Sequence, residues 1–266
     1  KSIYGKLVDF ALTQHEYLDV AAYDLRFIYD STCYNSKLDK IGHNGKVRML
    51  LNLPSSSDEL LFSFKSKLRS QIKKPKRDGL YIKFGRNDLL NHFYDVYSRN
   101  MRDLGSLSHK KSWFKYIMQF YGERSLCCVV YMSNGIPAAA GIILCGSNTV
   151  SIPWASSLRK YNRYNPNMLL YWSFLEYAVD NGYRFFDFGR STPGEGTYKF
   201  KAQWGAKPQP LCWKQFRVNK GNVEPFNKMK SHSMSFYRNF AERVIRKMPV
   251  PVATFVGSRI RKYVSL

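Results

Sequence analysis

FDFGRSTPGEGTYKFKAQWGA, residues 186–206, decides how this chain reads. The run Phe185-Phe186-Asp187-Phe188 has the aromatic character of a strand. Yet it ends in Gly189-Arg190-Ser191 and a stretch broken by Gly194 and Gly196. Ordinary strand ends turn on Gly, Asn or Asp. This one adds a guanidinium, a hydroxyl and the ammonium groups of Lys199 and Lys201. The pattern is that of a strand end that holds something anionic.

The rest of the composition fits an anionic partner. Lys and Arg outnumber Asp and Glu by 42 to 19, a formal charge of +23. A field of that sign draws tRNA, phosphorylated lipids, nucleotide-bearing donors or an anionic membrane. At 266 residues, 44% of them apolar and 16% aromatic, the chain can bury a sizeable core and is not disordered. Cys33, Cys127, Cys128, Cys145 and Cys212 make no CxxC pair, and His15, His43, His92 and His232 share no ligand spacing. The expectation is a reducing, cytoplasmic setting with no disulfide framework, no metal and no tightly bound cofactor. No run reaches the roughly 18–20 apolar residues that span a bilayer. Lys1 opens in mid-pattern without a Met, so a preceding segment is expected to be missing.

Working outward, 7–18 reads as a helix, 20–25 as a strand and 47–53 as another. Ser56-x-x-Glu59 is a capping box for a helix to about Lys74, ended by Pro75, with Lys65, Lys67, Arg69 and Lys73 on its outer face. A strand at 80–84, helices at 87–104 and 111–121, and strands at 126–132, 138–145 and 149–156 follow. Ser133-Asn134-Gly135 and Gly146-Ser147-Asn148 make the last three an antiparallel meander. A helix from Pro166 to Asp180, capped by Asn181-Gly182, precedes the strand 184–188, and a strand pair lies near 211–218. The order β-α-α-β-β-β-α-β is that of the GNAT acyltransferase fold, an α+β class with a mixed central sheet flanked by helices. The unit at 7–26 echoes the one at 168–190, which suggests a truncated tandem repeat. The expected domains are an N-terminal remnant (1–78), a C-terminal GNAT domain (79–220) and a basic amphipathic tail (221–266).

Between the meander and the long helix lies Arg159-Lys-Tyr-Asn-Arg163-Tyr164-Asn165-Pro-Asn167. Asn165 reads as an N-cap and Pro166 as the first helical residue. Helix-start N–H groups beside Arg159, Lys160 and Arg163 make an anion site, with Tyr164 and Asn167 next to it. A standard acetyl-CoA enzyme would carry a glycine-rich turn here. In its place Tyr161 and Tyr164 stand among the cations, as in an aromatic-lined anionic site. A basic surface loop is the plainer reading.

One ordered series carries a more specific resemblance: Arg99-Asn-Met-Arg-Asp-Leu-Gly105 with His109, Ile152-Pro-Trp-Ala-Ser-Ser-Leu158, Tyr161-Asn162, Asn165-Pro-Asn-Met-Leu-Leu-Tyr-Trp172, Phe186-Asp-Phe-Gly-Arg-Ser-Thr-Pro-Gly-x-Gly-Thr-Tyr198 and Trp204-Gly205. It resembles the FemAB-like family of the GNAT superfamily, in the branch associated with PEP-CTERM/exosortase exopolysaccharide systems, over about residues 50–215. That family is similar to peptidoglycan-bridge aminoacyltransferases, which are tandem GNAT domains fed by aminoacyl-tRNA. The resemblance implies that strands 149–156 and 184–188 splay apart around the acyl group. Arg190 and Ser191 would then stand at the mouth of the gap, with Trp154 and Ser156 opposite, and Lys199 and Lys201 would reach phosphates. Candidate bases are Asp187, Glu195, His109 and Tyr164. The implied reaction is direct acyl or aminoacyl transfer to an amine of an envelope precursor, the acceptor lipid-linked and the donor aminoacyl-tRNA or acyl-CoA.

Blander readings stay open. Arg190 pairs with Asp187 or Glu195, or Thr197–Trp204 is a core-packing turn with Tyr198, Phe200 and Trp204 inward. Residues 222–266 hold nine basic residues against two acidic ones, with Phe236, Phe240, Val244 and Ile245 along one face. The segment 236–262 reads as a peripheral membrane contact or as helices packed on the domain. The rival function is a non-catalytic RNA- or anionic-lipid-binding module with a degenerate acyl site.

Overall fold

The two turn signals in the middle of the chain act as their sequences predict. Gly135 takes φ 81, and strands β4 (Ser125–Tyr131), β5 (Pro137–Cys145) and β6 (Thr149–Ser157) run antiparallel in succession. The computed structural model describes residues 10, 22–28, 46–219, 222–225 and 232–261. Apart from Phe10, the expected helix at 7–18 lies outside them. The further strands are β1 (Ala22–Ile28), β2 (Val47–Asn52), β3 (Tyr81–Gly85), β7 (Phe185–Ser191), β8 (Lys207–Asn219) and β9 (Asn222–Pro225). All nine form one sheet in the order β1-β8-β2-β7-β6-β5-β4-β3, with β9 on β8. Among the described residues only β6 and β7 pair in parallel, because the helix between them is a crossover that returns the chain to the same end of the sheet.

Helices cover both faces. On one lie α1 (Ser57–Ser63), α2 (Ser66–Arg77) and α5 (Pro166–Asp180). Eleven of the fifteen residues of α5 are buried, so it has no solvated stripe: the sheet packs on one side of it and α2 on the other. Leu169, Phe174, Phe186, Phe188 and Trp204 fill this core at 0–2% exposure, each contributing about 1.5–3 kcal/mol by burial. The opposite face carries α3 (Leu90–Leu104) and α4 (Lys111–Tyr121), whose Phe93, Val96 and Phe114 close a second core against β4 and β5. A short α6 (Gly196–Ala202) follows β7, and α7 (His232–Lys247) and α8 (Val250–Ile260) end the described chain.

Three local expectations need correction. The Ser56 hydroxyl does cap α1, accepting from Glu59 N at 3.1 Å, but the Glu59 carboxylate accepts from Ser55 Oγ at 3.0 Å instead of reaching back to Ser56. The single expected helix is two. Phe64 leaves helical geometry at ψ 149 because its ring is drawn edge-on between Trp172 (6.1 Å) and Trp204 (5.5 Å). Nor does Pro75 end α2, which runs on to Arg77 with Asp78 N bonded to Lys74 O at 2.9 Å.

Strand β2 and helices α1–α2 come from the stretch expected to be an N-terminal remnant. They share the sheet and first core of 79–220. The tail is docked as well: Arg102 donates to Met248 O at 3.1 Å and Arg246 to Leu104 O at 3.3 Å. Gly257 lies so close to Ser108 that a Cβ would sit 2.8 Å from its backbone nitrogen. Of the two readings of 236–262, packing on the domain describes the inner side of these helices.

Candidate active site

The parallel ladder between β6 and β7 is short: Thr149 faces Phe185, Val150 faces Phe186, Ser151 faces Asp187, and there the pairing stops. Both strands carry a bulge at that point. On β6, Ile152 and Pro153 together oppose one residue of β5. On β7, Phe188 and Gly189 together oppose one residue of β2. A bulge bends its strand and shifts its twist. Here β6 veers after β5 while β7 veers after β2, so a cleft opens between their ends. Gly189 takes φ 73, and a Cβ on it would meet nothing within 4 Å. The position therefore needs the left-handed backbone of the bulge, whatever the space around it. Gly194, at φ 85, is likewise a turn residue with open space around it, and so is Gly196 apart from the turn.

The cleft holds about 270 Å³ and is lined on the β6 side by Ala155, Ser156 and Ser157. Helix α5 contributes Asn167 and Tyr171, α6 contributes Thr197, Phe200 and Lys201, and Asn100 reaches in from α3. Ser156 is 4% exposed and accepts from Asn100 Nδ2 at 3.1 Å. Tyr171 stacks on Phe188 at 5.7 Å, and burial raises its phenol well above the ordinary range.

Lys201 is the charged group of this cleft. It is 9% exposed, and its Nζ donates to Arg190 O at 2.8 Å. Burial lowers its pKa from 10.5 to about 8; Asp187 pulls the other way, and Arg190 adds to the drop. The lysine expected to reach outward to phosphates instead points inward beside the parted strands. The reason is that Gly196–Ala202 is a helix: its register turns Lys201 and Trp204 inward and leaves Lys199 in solvent. The inward-packing reading of Thr197–Trp204 holds for Trp204, fully buried, and in part for Tyr198 and Phe200.

Other expected site residues fall elsewhere. Asp187 projects from the face of β7 opposite Phe186 and Phe188. It pairs with Arg48 Nε of β2 at 2.8 Å and accepts from Gly189 N at 2.7 Å, so its partner is neither Arg190 nor Glu195. Ser191 is buried and its hydroxyl finds no partner among the described residues. Arg190 is exposed and lies across from Arg48 in the ladder. Trp154 does not line the cleft. The β6 bulge turns its ring edge-on to Trp113 (5.1 Å) and Phe114 (5.4 Å) in the second core.

Residues 159–164 form a 3-10 turn, and Asn165 stands at φ 54, ψ 41 without a side-chain cap. It holds the expected N-cap position ahead of Pro166, but its side chain makes no capping bond. It supplies the left-handed corner that Asn tolerates better than other non-glycine residues, so the turn is made with no glycine. Lys160 lies 4.7 Å over Tyr161, Arg163 4.6 Å over Tyr164, and Lys74 of α2 5.9 Å from that same Tyr164 ring. The end of α2, through Lys74, and the basic turn thus meet at Tyr164. Arg159 is exposed at the start of this turn, and Asn167 opens α5 towards the cleft.

His109 lies in a different place, stacked on Trp113 at 4.0 Å. Burial, then Arg261, lowers its pKa from 6.5 to about 4. Reading the sequence missed Arg48, Asn100 and Tyr171. Each gains its role from a strand or helix far away in the chain, and only Asn100 and Tyr171 fell inside quoted motifs. Among the described residues no group of three His, Cys, Asp or Glu gathers as a metal site, and no helix is long and apolar enough to cross a membrane.

Residues 63–202, more than half of the chain, match the profile of the Acetyltransferase (GNAT) domain. No curated protein matches the chain. Among solved structures it is similar to FemX, with a TM-score of 0.63 and 14% identity over 78% of this chain and 74% of that one. It is also similar to a tandem GNAT protein from the clavulanic acid biosynthesis pathway, with a TM-score of 0.51 and 11% identity over 82% of this chain and 70% of that one. A GCN5-related N-acetyltransferase from Sphaerobacter thermophilus gives 0.51 and 10% over 83% and 70%. At such identities the likeness is one of fold.

Proposed function

The chain belongs to the acetyltransferase (GNAT) domain family, and on that premise we propose that it is a FemAB-like N-acyltransferase. In this reading it moves an acyl or aminoacyl group, by direct attack, onto an amine of a cell-envelope or exopolysaccharide precursor. The observation that carries the reading is the cleft where β6 and β7 part, with the Lys201 ammonium buried in it. A donor carbonyl entering the gap meets strand edges that have no strand partner there. In this reading the ammonium offsets the negative charge that grows on the carbonyl oxygen. Prearranged donors of this kind are worth about 10²–10³ in rate each. Attack forms the C–N bond and breaks the ester or thioester bond, and the proton lost by the amine nitrogen ends on the leaving oxygen or sulfur. Asp187 is held by Arg48 and Gly189 N, and His109 lies outside the cleft. Amine attack on an activated ester asks little of a base, and positioning supplies much of the rate.

The donor in this reading is aminoacyl-tRNA. Supporting it are the cations stacked on Tyr161 and Tyr164, the joining of α2 to that turn, and a corner built on Asn165 instead of glycines. The test is a thermal-shift and mass-spectrometric screen against acetyl-CoA, longer acyl-CoAs, charged tRNA and free tRNA. Stabilisation and acyl transfer that need the aminoacyl end are expected, with transfer lost in Lys201→Met. Turnover of a CoA ester would overturn the tRNA donor. Equal responses to charged and free tRNA, without turnover, would replace the enzyme by an RNA-binding module.

A further inference from the structure

A second cavity, of about 420 Å³, opens between the start of α4 and the end of α8. Its wall carries two cations, Lys110 and Arg261, two hydroxyls, Ser112 and Ser258, and the rings of Trp113 and Tyr116. Neither helix contains an acidic residue. Ser258 Oγ donates to Phe255 O at 3.0 Å, so the two cations and the Ser112 hydroxyl are the groups that suit a phosphate diester or monoester, and the flanking rings suit something apolar attached to it.

The surroundings say what that something is. Along α4, Tyr116 is 67% and Phe120 81% exposed; along α8, Val252 is 47% and Phe255 58% exposed. Trp113, Tyr116 and Phe120 share one helical face, as do Val252, Phe255 and Arg259. Arg259 sits 4.5 Å over the Phe255 ring. The exposed side of α8 is set by the docking of its Gly257 and Ala253 inward, so these apolar side chains are not a core awaiting closure within the described residues. Aromatic and aliphatic side chains interleaved with Arg and Lys, on the two helices that flank a cationic cavity, make the composition of an interfacial membrane surface. An RNA backbone would use the cations but would leave Phe120 and Val252 in water.

We propose that the α4–α8 seam binds the phosphate headgroup of an anionic phospholipid, with Tyr116, Phe120, Val252 and Phe255 lying in the bilayer interface around it. This surface is separate from the cleft between β6 and β7, and the proposal stands or falls without the acyltransferase reading.

The test is flotation of the full chain with vesicles of phosphatidylcholine alone or phosphatidylcholine with phosphatidylglycerol. Binding is expected only to the anionic vesicles and should weaken with salt. A basic residue near such a surface contributes about five-fold, so the reversal Arg261→Glu should weaken partitioning roughly 30-fold. Phe255→Ser and Tyr116→Ser, both at exposed positions, should weaken it with unchanged thermal melting. Glycerol phosphate should not compete at concentrations matching the lipid. The proposal is overturned if the chain ignores anionic vesicles, or if the three variants partition as the parent does. Displacement by soluble phosphate esters would overturn it in favour of a small-anion site, and loss of tRNA binding without loss of vesicle binding in Arg261→Glu would overturn it in favour of RNA.

Discussion

Lys201→Met should make the protein more stable at neutral pH while removing its proposed catalytic charge. The ammonium is 9% exposed, and its pKa falls from 10.5 to about 8 on folding. That fall corresponds to about 3 kcal/mol of folding free energy lost by keeping the charge buried. Against it stands the charge-assisted bond from Nζ to Arg190 O, about 1.5–2 kcal/mol. Methionine fills nearly the same volume, so the net gain at pH 7 is about 1–2 kcal/mol. The pH dependence identifies the cause. Between pH 8 and 10.5 the unfolded chain holds this proton and the native one does not, so parent stability rises with pH across that window through this group. The variant lacks that rise. Urea unfolding of both proteins, at pH 7 and in steps through the window, should show the variant ahead at pH 7. Its lead should shrink as the lysine becomes neutral. A variant less stable at pH 7, or a difference independent of pH, would refute the claim that a strained buried cation occupies the cleft.

Gly189→Ala should lose about 1 kcal/mol, since a Cβ at φ 73 meets no atom but strains the backbone; chemical denaturation measures this, and acyl transfer should fall further as the bulge relaxes. Below pH 6.5 the unfolded chain protonates His109 while the native ring resists to about 4. Stability should therefore drop over that window by about 1 kcal/mol, after allowance for a half-exposed ring, and His109→Gln should flatten the drop. Gly257→Val drives a side chain against the Ser108 backbone and should cost about 1–3 kcal/mol, seen as faster proteolytic release of the C-terminal helices. Asn165→Ala should be destabilising and Asn165→Gly nearly neutral, because the corner at φ 54 asks for left-handed backbone and no side-chain bond. Thermal melts of the pair check this.

What the sequence made legible were signals carried within a few residues. The meander follows from two turn sequences, α4 and α5 were placed at their observed ends, and the parting of the strands was expected on both sides of α5. What stayed hidden were effects whose cause sits on another element. The helix break at Phe64 is decided by Trp172 and Trp204, more than a hundred residues away in the chain. Asp187 looked like a base or a partner for Arg190 until β2 placed Arg48 beside it. The largest reversal concerns Lys199 and Lys201. Between two glycines and an aromatic-rich run they looked like two lysines on one loop. One short helix sends them to opposite fates, Lys199 to water and Lys201 into the cleft. The signal was present in the period: Thr197, Lys201 and Trp204 are spaced four and three apart, as on one face of a helix. Seven residues are too few for that period to stand out against a turn rich in glycine. The parting itself was expected from the resemblance, but its cause was local. A proline in β6 and a glycine in β7, neither of them favoured inside a strand, mark the two bulges. Two strand-breaking residues on either side of a crossover helix therefore point to a cleft before any site residue is named.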